Sequence, residues 1–276
     1  MNLIAQGPRI TAAQANELAL LAGANGVERL SEQAYRLRDA KATAAIAAYC
    51  DQHKIDHAFM PEGQRFAELK LLAMDMDSTL ITIECIDELG DLAGKKAEIA
   101  AITAQAMRGE IEYKESLRRR VKALEGLAES SLATIYEQRL KLTPGAETLV
   151  NACKRQGVQL LLVSGGFTFF TERLKERLGL HHTISNVLEV KSGKLTGALV
   201  GEIVDADAKA KKFREVAAAL GASKSQTVAI GDGANDLKMM AEAGLSIAFR
   251  AKPVVRAQAS CALSWSGLDA VVNLFE

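Results

Sequence analysis

Three short apolar runs constrain this chain more than any other feature. Leu71-Leu72-Ala73-Met74 stops at Asp75, Gln159-Leu160-Leu161-Leu162-Val163 stops at Ser164, and Thr227-Val228-Ala229-Ile230 stops at Gly231. Their hydrophobicity is continuous, not alternating, so each reads as a strand covered on both faces, as in a parallel sheet. Helical spacing fills the gaps, for example from Ala146 to a closing Gly157. Strand, helix, strand in repetition requires right-handed crossovers and predicts an α/β fold with a doubly wound, Rossmann-like parallel sheet. Ligands of such sheets bind beyond the carboxyl ends of the strands, where the polar clusters after all three runs fall.

The interval from about 84 to 142 has helical periodicity and no clear strand, which predicts a helical cap inserted after the first run. A smaller insertion, about 185–204, reads as a hairpin turning at Lys191-Ser192-Gly193-Lys194. Residues 1–66 form a separate small α/β unit in this reading. Its strands are Asn2 to Gln6 and Val27 to Leu37, its helices Ala12 to Ala22 and Thr43 to His53, a βαβα pattern. Residues 67–276 are then the core domain.

Composition excludes some partners. Lys+Arg and Asp+Glu both total 34, so the chain lacks the excess positive charge that drives binding to nucleic acid or an anionic membrane. No segment is long and apolar enough to span a bilayer, and MNLIAQGPRITAAQ has no basic stretch followed by an apolar one. The four cysteines (Cys50, Cys85, Cys153 and Cys261) form no CxxC pair and sit among apolar neighbours, which favours buried thiols in a reducing compartment. Cytoplasm is the expected address.

The sharpest chemical signal is Asp75-Met76-Asp77-Ser78-Thr79. Carboxylates two positions apart point to opposite faces of a strand, but both can approach one ligand if the chain turns between them. That arrangement suits a nucleophile and a separate proton donor; an acidic solvated loop is the alternative. Val163-Ser164-Gly165-Gly166-Phe167 offers small residues whose N–H groups and hydroxyl can approach an anion, or else a plain tight turn. Gly231-Asp232-Gly233-Ala234-Asn235-Asp236 adds two carboxylates at a strand end, which favour a hard cation such as Mg²⁺. Neither a dinucleotide loop nor EF-hand spacing is present. Lys209 lies in Asp207-Ala208-Lys209-Ala210-Lys211-Lys212, where spacing alone gives it no privilege over its neighbours.

In this order the four clusters resemble the haloacid-dehalogenase-like phosphotransferases. Ile83-Glu84-Cys85-Ile86-Asp87-Glu88 and Ser116-Leu117-Arg118-Arg119-Arg120-Val121 bring the resemblance closer, to the phosphoserine phosphatase family, from about Leu69 to the C-terminus. The resemblance implies Asp75 as nucleophile and Asp77 as general acid/base. It implies Mg²⁺ held by the side chains of Asp75 and Asp232 and the backbone carbonyl of Asp77. Ser164, Gly165 and Lys209 would bind phosphate, assisted by Asn235, while Asp236 would orient Lys209 or a water. Glu84 would take the substrate ammonium and Arg120 its carboxylate, in a hydrolysis that feeds serine synthesis. Tyr113, Leu117, Arg120 and Leu124 share one helical stripe, so Arg120 stands where an apolar residue belongs and needs an anionic partner, unless it snorkels to the surface. For Glu84 the alternative is a helix-start acid.

Phosphothreonine or another small phosphorylated amino acid remains an alternative substrate, because one methyl is worth only about 1–3 kcal/mol in a pocket. A non-catalytic phospho-metabolite sensor is the rival of another class. The N-terminal unit resembles amino-acid-sensing domains of the ACT type, and a packing or homodimerisation role is equally open.

Overall fold

The computed structural model describes residues 1–276. The chain starts with β1 (Asn2–Gln6), α1 (Ala12–Ala22), β2 (Gly26–Ser31), β3 (Ala34–Arg38), α2 (Ala44–His53) and β4 (Asp56–Met60). The four strands form an antiparallel sheet in the order β2-β3-β1-β4. Alternation along β1 divides its faces. Leu3 and Ala5 pack with Leu18, Ile46 and Cys50 of the two helices, while Ile4, with Ala58 and Met60 of β4, joins the core of the main body. Thr11 and Gln14 start α1 with a capping box, each side chain accepting the other's backbone N–H.

This unit departs from the sequence reading in two places. Val27 to Leu37 is a hairpin instead of one strand, turning at Glu32-Gln33 with a bulge between Arg29 and Ser31. The turn contains no Gly, Asn or Pro; Ser31 Oγ accepts the Gln33 N–H at 3.1 Å and supplies the local hydrogen bond. A further strand, β4, follows α2, so the elements run βαββαβ, not βαβα. It begins with Asp56, buried where it binds the backbone at Ser264–Ser266, and His57, half-buried, polar residues that hide the strand from an apolar pattern.

The main body contains β5 (Leu71–Asp75), α3 (Cys85–Leu92), α4 (Lys96–Met107), α5 (Tyr113–Lys122), α6 (Ser130–Gln138), α7 (Ala146–Arg155) and β6 (Gln159–Phe167). There follow α8 (Thr168–Leu178), β7 (His182–Lys191), β8 (Lys194–Val200), α9 (Ala206–Ala219) and β9 (Thr227–Gly231). The chain ends through α10 (Leu237–Glu242), β10 (Leu245–Phe249), α11 (Pro253–Arg256) and β11 (Cys261–Leu263). The seven strands lie in the order β11-β10-β9-β5-β6-β7-β8, all pairs parallel except β7 with β8.

Both faces of this sheet are covered, which is why its central strands are continuously apolar. Leu72, Met74, Leu160, Leu162, Val228 and Ile230 face one core. Leu71, Ala73, Leu161, Val163 and Ala229 face another, closed by Phe213 and Val216 of α9 and by Met239 and Met240 of α10. Each fully buried Leu or Ile contributes about 1.5–3 kcal/mol of transfer free energy. From β5 the chain reaches β6 on one side and later β9 on the other. The carboxyl end of β5, where Asp75 stands, is therefore the point at which the winding reverses.

Helices α3 to α6 occupy the interval between β5 and α7. Where the chain leaves and returns, Ile81 pairs with Leu142 in an antiparallel bridge. The Thr82 N–H donates to the Lys141 carbonyl and the Thr143 N–H to that of Leu80, both at 3.0 Å. Strand β7 serves two partners: its first half continues the main sheet and its second half pairs with β8. Ser192 and Gly193 turn that hairpin with φ of 51° and 71°.

The N-terminal sheet is anchored to the body by buried and part-buried polar contacts. The Asp56 carboxylate accepts the N–H groups of Ser264 (2.6 Å), Trp265 (3.0 Å) and Ser266 (2.8 Å). Arg36 donates to the Phe275 carbonyl at 2.6 Å. All four cysteines are buried and free. No helix is long and apolar enough to cross a membrane.

Candidate active site

Strand β5 is hydrogen-bonded on both sides as far as its last residues and delivers Asp75, 5 % exposed, to the switch point. The chain then breaks from the strand in a wide turn over Met76–Leu80, with Ser78 at φ 57°. That turn brings Asp77 back into the site. Its Oδ1 accepts the Cys85 N–H, at the start of α3, at 2.8 Å, and its Oδ2 accepts the Ser164 hydroxyl at 3.3 Å. Burial pushes the Asp77 carboxyl above its ordinary pKa, and the Cys85 and Ser164 donors moderate the shift.

Lys209 projects from the second turn of α9, whose N-cap Asp205 accepts the Ala208 N–H at 2.9 Å. Its side chain has no solvent exposure, and its ammonium lies 2.7 Å from both Asp75 Oδ1 and Asp236 Oδ1. Burial opposes the charge, but Asp236 and Asp75 outweigh it and raise the pKa above the usual lysine value. Asp236 is fixed in turn by the Gly233 N–H on its Oδ2 at 3.1 Å. A side chain at Gly231 would place its Cβ 2.6 Å from the Asp236 carboxylate, so the last residue of β9 has to be glycine.

Asp75, Asp232 and Asp236 each bring a carboxylate oxygen within 4.8 Å of the others. Asp232 accepts the Thr79 hydroxyl at 3.3 Å, and desolvation, followed by the Asp236 charge, raises its pKa to about 6. Burial and then Asp236 also push Asp75 well up, against the pull of Lys209. Three crowded carboxylates facing one ammonium leave negative charge uncompensated, and hard oxygen donors of this kind fit a divalent cation.

The end of β6 supplies the opposite wall. Gly166 N–H donates to Ser164 Oγ at 2.8 Å. A Cβ at Gly166 would lie 2.8 Å from Asp77 Oδ2 and from Met76 Cε. At Gly165 a Cβ would meet the Tyr113 hydroxyl at 2.3 Å, so the first residue of α5 rests on this loop. Burial raises the Tyr113 phenol above its ordinary pKa.

On the side of α3 to α6, Ser78 donates to Glu84 Oε1 at 2.6 Å. Glu84 is an exposed residue, but desolvation where its carboxyl meets the Ser78 turn, and then Asp77, push its pKa up to about 7. Arg120 keeps a buried Nε with no hydrogen-bond partner in the protein. Leu117 and Leu124 of the same stripe are buried, so the guanidinium faces inward with an unmet requirement for an acceptor.

The fold thus gathers Asp75, Asp77, Ser164, Gly165, Lys209, Asp232 and Asp236, and places Glu84 against the Ser78 turn. Asn235 is half-buried in the loop between Asp232 and Asp236. The sequence reading did not single out Thr79, the Cys85 N–H or the Tyr113 hydroxyl as polar groups of the site. The only available signals were their adjacency to Asp77 and Glu84 and the position of Tyr113 on the Arg120 stripe.

Residues 72–241 match the family of haloacid dehalogenase-like hydrolases, and residues 3–46 match a family described as a domain of unknown function. The chain is 55% identical to a phosphoserine phosphatase of Polaromonas sp. over 215 residues, covering 76% of this chain and 91% of that one. It is similar to the crystal structure of a probable phosphoserine phosphatase from Vibrio cholerae in unliganded form, with 37% identity, a TM-score of 0.87, and 99% of this chain and 86% of that chain covered. A substrate-bound phosphoserine phosphatase complex is similar at 38% identity and a TM-score of 0.71, over 75% of this chain and 99% of that one. With a family model spanning more than half its length and relatives matched almost throughout, the chain belongs to the haloacid dehalogenase-like hydrolases, in the branch that holds the phosphoserine phosphatases.

Proposed function

We propose that the protein hydrolyses O-phospho-L-serine to L-serine and phosphate through a phosphorylated Asp75. The observation that carries the substrate reading is the buried, unpartnered Nε of Arg120, on the same helix as Tyr113, whose hydroxyl lies against Gly165. A carboxylate would satisfy Arg120, an ammonium would suit Glu84, and a phosphate would lie between Asp75 and the Ser164–Gly165 loop. Relatives named phosphoserine phosphatase support the same reading.

Asp75 attacks phosphorus in line while Asp77 protonates the departing serine oxygen. Burial raises the pKa of Asp77, which favours the protonated form that a proton donor needs. Asp77 then takes a proton from water as it cleaves the Asp75 acyl phosphate. Lys209 neutralises phosphate charge and, through its pairing with Asp236, approaches from a fixed direction. Ser164 and the backbone at Gly165 hold the phosphate, with Asn235 beside them.

The carboxylates of Asp75 and Asp232 and the backbone carbonyl of Asp77 would hold Mg²⁺, with Asp236 alongside. When bound, the ion supplies positive charge against the phosphoryl oxygens. In the same reading residues 67–276 are the catalytic unit, with a cap at about 84–142 and a hairpin at about 185–204. Residues 1–66 are an ACT-like domain, a reading supported by their βαββαβ order.

The test compares kcat/KM for phosphoserine, phosphothreonine and ethyl phosphate, each with and without Mg²⁺. Phosphoserine should lead by at least about tenfold over ethyl phosphate, and Asp75→Asn should abolish turnover of every ester. Equal values for all three would remove Glu84 and Arg120 from substrate recognition.

A further inference from the structure

Between Val163 and Phe167 the β6–β7 ladder is interrupted. Val163 pairs with Ile184 and Phe167 with Asn186, so four residue steps on β6 face two on β7. Ser164, Gly165 and Gly166 therefore have no register partners on β7, and their backbone groups need other partners. Asn186, 2 % exposed, supplies one. Its Nδ2 donates to the Gly165 carbonyl at 2.8 Å, with a longer 3.4 Å contact to the Gly166 carbonyl. Its Oδ1 accepts the Val204 N–H at 2.8 Å.

These partners fix the amide uniquely, because a carbonyl requires a donor and a backbone N–H an acceptor. They also join two parts of the site. Val204 immediately precedes Asp205, the N-cap of the helix that carries Lys209. In a trans peptide the Gly165 carbonyl and the Gly166 N–H point in opposite directions. Drawing the carbonyl toward Asn186 therefore turns the Gly166 N–H toward Ser164 Oγ, 2.8 Å away, and Ser164 donates to Asp77 Oδ2 at 3.3 Å.

We propose that Asn186 is a positioning residue for the phosphatase reaction. Its carboxamide sets the Gly165–Gly166 peptide, and through it the direction of the Ser164 hydroxyl and the Asp77 carboxylate, while tying that loop to the start of the Lys209 helix. Asn186 touches no reacting atom. This inference rests on the proposed roles of Ser164, Gly165 and Asp77, and not on which ester is the natural substrate.

The decisive variant is Asn186→Asp, which keeps the shape and removes the donor to Gly165. The probes are phosphoserine, p-nitrophenyl phosphate and inorganic phosphate as a product inhibitor. The expected result is a fall in kcat/KM of about 10- to 100-fold for both esters, the scale of a small misplacement of supporting groups. The inhibition constant for phosphate should rise severalfold, with the Mg²⁺ activation constant unchanged. A purely structural role would reduce only the folded fraction; unchanged phosphate inhibition and KM in the remaining enzyme would overturn the proposal. Should the variant not fold, amide exchange in the wild type reads the same network. Slow exchange at both Val204 and Gly166 supports it, and fast exchange at either overturns it. Wild-type turnover of p-nitrophenyl phosphate but not phosphoserine would sink the substrate reading and leave this test intact.

Discussion

The Lys209 ammonium, sealed from solvent, stands 2.7 Å from Asp75 and is the one cation bonded to that carboxylate. Lys209→Met would remove it and leave Asp75 and Asp236 buried without compensation. The expected cost is about 3–5 kcal/mol of stability, typical of breaking a buried pair on one side. Adding Mg²⁺ should recover more stability in the variant than in the wild type, because the freed carboxylates then attract a cation more strongly. Paired melting curves with and without Mg²⁺ read this directly; equal Mg²⁺ gains in the two proteins would contradict it.

Metal uptake should be linked to protons near Asp232. Its pKa is raised to about 6, mainly by desolvation, so below that pH the carboxyl is protonated and must lose its proton before it can coordinate. Mg²⁺ affinity should therefore fall as pH drops from 7 to 5, with proton release on binding growing through the same range. Calorimetry in two buffers of different ionisation enthalpy measures that release.

Glu84 gives a second pH limb. Its pKa is raised to about 7, so the folded protein holds this proton where an unfolded chain, with an ordinary glutamate, has lost it. Two opposite consequences follow. Stability contributed by the neutral carboxyl declines as pH rises from the ordinary glutamate value through about 7. Capture of a substrate ammonium needs the ionised form, so kcat/KM for phosphoserine should rise over the upper part of that interval. In Glu84→Gln the limb should vanish for phosphoserine, and for ethyl phosphate it should be absent even in the wild type.

Asp56 tests the junction between the N-terminal sheet and the body. Asp56→Ala strips the acceptor from the amides of Ser264, Trp265 and Ser266. Leaving these donors unsatisfied, that of Ser266 buried and the other two partly so, should cost about 1–3 kcal/mol. Chemical denaturation measures the loss, and activity of the folded fraction toward small esters should be retained, since Asp56 lies outside the catalytic cluster.

The parts of this molecule legible in its sequence are those where burial is complete or chemistry is dense. Strands β5, β6 and β9 announced themselves because covering both faces demands apolar residues at consecutive positions. Asp75, Asp77, Asp232 and Asp236 stood out because strand-end carboxylates in that number are costly without a ligand. Lys209 did not, since its burial comes from the packing of α9 against the sheet, and Lys211 two residues on is exposed. The turn at Glu32-Gln33 was hidden because a serine hydroxyl replaced the residue types that mark turns. Asn186 read only as part of a hairpin; its importance arises from a ladder interruption that no single strand reveals.

The paired backbone at Ile81 and Leu142 closes the four-helix excursion at its base, so the sheet experiences the whole segment as a short loop. Lengthening or exchanging those helices changes loop entropy only slowly with length and need not disturb the strand that presents Asp75. On the proposed roles of Glu84 and Arg120, the stretch that would read the substrate is then closed off at its base from the strand that carries Asp75. The limit on such exchange lies at Cys85 and Tyr113, through which the excursion touches Asp77 and Gly165.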